Sequence, residues 1–80
     1  MEKRELVFDI LKTTGCLTAK EIQAFILRKH KQNVSAQAVS GILRPYIQRG
    51  YVGLSSNVNN QKVYWIVKSE WKDELIKGFN

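Results

Sequence analysis

Apolar residues recur at helical spacing along the first half of the chain. Leu6, Val7, Ile10 and Leu11 fall on one side of a helix predicted over about residues 2–13. Gly15 then supplies a left-handed exit, and Cys16-Leu17 reads as a short extended link able to pair at a sheet edge. A second helix opens at Thr18-Ala19-Lys20-Glu21. This run has the form of a capping box, in which the Thr18 hydroxyl accepts from the Glu21 N–H and Glu21 reaches back to the Thr18 N–H. Ile22, Phe25 and Ile26 continue one face, and the helix fades near His30. A third helix starts from a Ser35 cap, and Val39, Ile42, Leu43, Tyr46 and Ile47 share one arc of it. Pro45 stands in its interior, where it removes a hydrogen bond and crowds the carbonyl of Gly41. A kink or a tightened last turn is expected there, with Gly50 closing the helix.

After Gly50 the residue types change from helix formers to β-formers. Residues 51–55 and 62–67 read as the strands of a hairpin, joined by a polar, asparagine-rich loop over residues 56–61. Alternation puts Tyr64 and Trp65 on opposite faces of the second strand, one toward the core. A last helix is predicted over about residues 69–77 from a Ser69 cap, with Trp71, Leu75 and Ile76 on its apolar side. Two helices joined by a turn cannot hide their inner faces unaided, so the first helix and the hairpin must close the core. The fold class is α+β, mostly α, in a single domain over residues 1–80.

Charge sharpens this picture. The net charge is +6, from 13 Lys and Arg against 7 Asp and Glu, and the acids are gathered at the two ends. None lies between Ile22 and Ser69, a stretch that carries Arg28, Lys29, Lys31, Arg44, Arg49, Lys62 and Lys68. Such a segment suits a polyanion, although a solvated basic surface has the same composition. The single cysteine, Cys16, cannot form an internal disulfide, which fits a reducing cytosol. It is expected as a small buried residue. The N-terminus predicts no cleaved leader, and no apolar run is long enough to span a bilayer.

Three segments together resemble the winged helix-turn-helix superfamily. Cys16-Leu17-Thr18-Ala19-Lys20-Glu21-Ile22 is similar to the opening of the first helix of that motif. Residues 35–43 resemble its recognition helix. Ile47-Gln48-Arg49-Gly50-Tyr51-Val52 resembles the passage into its wing. The resemblance covers roughly residues 5–67. It implies a three-helix core, a two-stranded β-wing at about 51–67 and, here, an additional C-terminal helix. It also implies double-stranded DNA as partner, with the third helix in the major groove. The chain departs from the common pattern in the longer connection over residues 29–34 and in Pro45.

On a helical wheel, Gln37, Ser40, Gly41, Arg44 and Gln48 lie opposite Val39, Ile42 and Tyr46. This arc is polar, small or cationic and has no acid. Glutamine and arginine are the side chains that read adenine and guanine edges. These five are the candidate base-reading residues, against an ordinary solvated face. Lys20, Arg28, Lys29, Lys31, Ser35 and Arg49 are candidate phosphate contacts, Lys20 and Ser35 because they stand at helix N-termini. In the wing, Asn57, Asn59, Asn60 and Lys62 are candidates for the backbone or the minor groove, against a plain hairpin loop.

No enzyme is expected. The chain has no Ser-His-Asp set, no paired carboxylates and no glycine-rich phosphate loop, and His30 with Cys16 is too little for zinc. No cofactor is implied. The expected role is a transcriptional regulator, or an accessory protein of replication or of a mobile element, in the cytoplasm or on the nucleoid or nuclear DNA. Two other readings stay open: a protein-interaction module for an acidic partner, and a single-strand binder using Tyr64 and Trp65. Trp71, Leu75 and Ile76 serve equally well to pack on the first helix or to form a homodimer surface.

Overall fold

A computed structural model of the chain describes residues 2–67. The helix expected over about 69–77, with Trp71, Leu75 and Ile76, lies outside the described residues. Within them the order is α1 (Lys3–Thr14), β1 (Leu17–Thr18), α2 (Ala19–His30), α3 (Ala36–Gln48), β2 (Val52–Ser56) and β3 (Lys62–Ile66). The domain is α+β and mostly helical, with three helices and one antiparallel sheet among the described residues.

Local chemistry explains where the helices begin. At α2, the Glu21 N–H donates to the Thr18 hydroxyl at 3.2 Å, and the Thr18 N–H donates to the Glu21 carboxylate at 2.9 Å. This is the capping box expected from the sequence. At α3, the Ala38 N–H donates to the Ser35 hydroxyl at 3.1 Å. Each helix start is also flanked by an apolar pair at the positions of a hydrophobic staple. Leu17 and Ile22 bracket the start of α2, Val34 and Val39 that of α3, and all four are buried in one core.

The ends differ from expectation in detail. Pro45 neither breaks nor ends α3, which runs on to Gln48. Its missing N–H deprives only the Gly41 carbonyl, which lies on an exposed face. The tightening comes at the exit. The Gly50 N–H donates to the Ile47 carbonyl and the Tyr51 N–H to the Tyr46 carbonyl, with Gly50 at φ +83°. That pair of bonds is a Schellman motif, and it needs a residue tolerant of positive φ. Helix α2 stops on Lys31 in the left-handed conformation, a position the sequence did not mark.

The sheet order is β1-β3-β2. The short extended link pairs at the sheet edge as its residues allowed, over Leu17–Thr18 rather than Cys16-Leu17, with Leu17 opposite Tyr64 and Thr18 opposite Val63. This makes β3 the central strand and ties the start of α2 to the hairpin. Cys16 corrects another expectation, for it is exposed. Cys16 stands in the bend between α1 and β1, ahead of the buried pair Leu17 and Thr18, and its side chain is left to solvent.

The core draws on every element: Leu6, Val7, Phe8, Ile10 and Leu11 of α1, Ile22 and Ile26 of α2, Val39, Leu43 and Tyr46 of α3, and Val52 and Tyr64 of the sheet. Phe8 meets Tyr46 edge-on, with ring centroids 4.6 Å apart. No helix among the described residues is long and apolar enough to cross a membrane.

Candidate nucleic-acid interface

Five side chains were singled out on α3. Gln37, Gly41, Arg44 and Gln48 are exposed, and Ser40 is half-buried. They share the outward face because Val39, Leu43 and Tyr46 turn the opposite one into the core. No acid occurs in the first turn of α3, and none elsewhere in the helix. Gly41 is open to solvent, with no atom within 4 Å of where a Cβ would stand.

Near its N-terminus this face joins a cleft of about 330 Å³. One wall is the start of α2, with Thr18, Ala19 and Lys20. The second is the first turns of α3, with Ala36, Gln37 and Ser40. The third is the hairpin, with Gln61, Lys62 and Tyr64. Lys20, Gln37, Ser40 and Lys62 come from three separate elements, and the fold brings them to one surface. The pairing of β1 with β3 is what holds the α2 start beside the hairpin.

Other predicted contacts sit elsewhere. Arg28 and Lys29 are in the last turn of α2, at the opposite end of that helix from the cleft. Arg28 stacks its guanidinium 5.7 Å from the centroid of the Phe25 ring. Lys29 is committed to Asp9 at 2.8 Å, and His30 reaches the same carboxylate oxygen at 2.8 Å, with Lys12 at 3.5 Å from the other. Hydrogen bonds from Lys29 first and His30 second hold the Asp9 carboxyl at about 2, below its ordinary 3.8. Asp9 is thus, among the described residues, the acid of this cluster, and the cluster ties α1 to α2. Sequence reasoning missed it because Asp9 and Lys29 stand on different helices. Lys31 and Arg49 are exposed at the ends of α2 and α3. Ser35 caps α3.

The hairpin tip is built around Asn57. Its side-chain oxygen accepts from the N–H groups of Asn59 and Gln61, at 2.9 and 3.0 Å, and its amide donates to Gln61 at 3.2 Å. Asn57 therefore shapes the loop, while Asn59, Asn60 and Lys62 are exposed. Val58 is 99 % exposed at the tip. Of the two aromatic residues, Tyr64 is in the core and Trp65 is half-buried, its indole lying over Gly53 on the neighbouring strand.

Among the described residues no group of three His, Cys, Asp or Glu is placed to hold a metal ion. Comparison with known proteins finds no family model that matches this chain, no similar curated protein and no similar solved structure.

Proposed function

We propose that this chain is a winged helix-turn-helix module that binds double-stranded DNA by laying α3 in the major groove. One observation carries the reading. The exposed stripe Gln37, Gly41, Arg44 and Gln48, with half-buried Ser40, is free of carboxylates and is flanked at one end by Lys20 and Lys62. The stripe runs for about 16 Å along the helix, at 1.5 Å per residue. In such a pose Gln37 offers one donor and one acceptor to an adenine edge, Arg44 offers two donors to a guanine edge, and the lysines neutralise phosphate. Gly41 permits a close approach of the helix. The order β1-β3-β2, with the hairpin following α3 directly, supports the same reading, because Gln61 and Lys62 of the hairpin share the cleft with the first turns of α3. A role as a transcriptional regulator, or as an accessory to replication or a mobile element, follows from duplex binding.

The test is selection of bound sequences from random duplex DNA, followed by gel-shift titration of the selected site. Arg44→Glu should reduce affinity at least about a hundredfold, since it removes a donor and sets a carboxylate against the polyanion. Equal binding by wild type and R44E would falsify the docking mode.

A further inference from the structure

The end of β3 leads to a part of the surface that the DNA reading leaves aside. The Val67 N–H donates to the Tyr51 carbonyl at 2.8 Å, so the chain leaves the described residues beside the exit of α3. Apolar side chains gather around this point. Ile47, Tyr51 and Ile66 are half-buried at the margin of the core, and Val67 is 52 % exposed. The Gly50 N–H bond to Ile47 and the Tyr51 N–H bond to Tyr46 close the turn at the α3 exit. Arg49 stands in that turn and is exposed.

The stretch that follows has the complementary chemistry. Residues 68–80 hold Trp71, Leu75, Ile76 and Phe79, and they hold three of the seven acids, Glu70, Asp73 and Glu74. At helical spacing Trp71, Leu75 and Phe79 fall on one side, and Glu70 and Glu74 adjoin it. The sequence has no acid between Glu21 and Glu70, so Glu70 is the carboxylate nearest to Arg49 along the chain. Reach selects the occupant. Three residues past Val67 extend about 10 Å. The Tyr51–Val67 bond already joins the two stretches, so closing Glu70 onto Arg49 orders only a handful of residues at a small entropy cost. A second molecule would have to make the same contacts against the entropy of association.

We propose that residues 68–80 fold back as a strap on their own domain, with Trp71 and Leu75 over Ile47, Tyr51 and Val67 and with Glu70 paired to Arg49. The docking stands without the duplex reading but bears on it. The strap meets α3 at the Gln48 end of its stripe, and Arg49 leaves the set of phosphate contacts while the strap is closed.

The test uses the full chain and NMR. Cross-relaxation should join the Trp71 indole to the methyl groups of Ile47 and Val67 within one molecule, and the amides of residues 71–76 should be protected from exchange. Arg49→Glu and Glu70→Lys should each speed that exchange about fivefold, and the two together should return it to within about twofold of wild type. Trp71→Ala should speed it further with both charges in place. A Trp71 without contacts to Ile47 and Val67 overturns the strap. So do contacts that appear only between labelled and unlabelled copies in a mixed sample, the mark of a dimer. Charge variants whose effects merely add overturn the Arg49 pairing. One arm rests on the duplex reading: Glu70→Gln should release Arg49 and steepen the slope of log K against log salt by about one phosphate's worth. A slope unchanged while duplex still binds overturns the pairing. Failure of the duplex reading looks different, for a chain that binds no DNA keeps its Trp71 contacts.

Discussion

At the scale of single residues, two glycines show how the same atom count produces opposite effects. Gly53 stands opposite Trp65 in the sheet, and a Cβ there would collide with the indole. Gly53→Ala should therefore lower stability by about 1–2 kcal/mol, because the ring must swing off its strand. Chemical denaturation measures the loss, and the Trp65 indole N–H resonance should move with it. Gly41 lies in the middle of α3 with open space around its missing Cβ. Gly41→Ala should raise stability by about 0.5–1 kcal/mol through helix propensity alone. On the docking proposed above it should also weaken duplex binding, since the added methyl stands on the contacting face. A gain in both stability and affinity would contradict that placement.

At the scale of elements, a polar cluster on Asp9 ties α1 to α2. Asp9 faces Lys29, His30 and Lys12, and its side chain is only 14 % exposed. Its folded-state pKa, about 2, lies below the ordinary 3.8, so the carboxylate form is the one that stabilises. That contribution is complete above pH 4 and is lost as pH falls through about 2. Because Lys29 is half-exposed, the size is discounted to about 1–2 kcal/mol. Asp9→Asn should cost that much at neutral pH and should flatten the fall in melting temperature between pH 4 and pH 2. Parallel acid titrations of wild type and variant, followed by circular dichroism, decide it. The helix starts behave differently. The capping box of α2, the Ser35 cap of α3 and the two staples act within a few residues, so they favour the first turns of these helices locally.

Over the whole molecule, charge is sorted rather than merely positive. Asp9 is paired with Lys29 and Lys12 and bonded to His30 on the α1–α2 side, and Glu21 is turned back onto its own helix start. Lys20, Arg44 and Lys62 are left on exposed positions beside or along the α3 stripe. Neutralising about five phosphates would give log K against log salt a slope near −4.5. Gel shifts at several salt concentrations measure it, and a response close to flat would count against any backbone grip. Lys29 belongs to the fold rather than to that count, so Lys29→Gln should destabilise the chain without altering the slope. The candidate site was legible only in part. The α3 stripe could be seen because helical period alone decides which side chains share a face. The cleft could not, because Lys20 and Lys62 meet only after β1 has paired with β3.

Spacing and residue type were enough to set the three helices, the N-caps of α2 and α3, the hairpin and the outward arc from Gln37 to Gln48. Each of these depends on neighbours within about four positions, where backbone geometry dictates the partner. Packing alone decided which strand the short link pairs with, the outward turn of Cys16, the withdrawal of Lys29 to Asp9 and the meeting of the Ser40 and Tyr64 hydroxyls. Those partners are distant in the chain, and only burial of a shared core brings them within reach of one another.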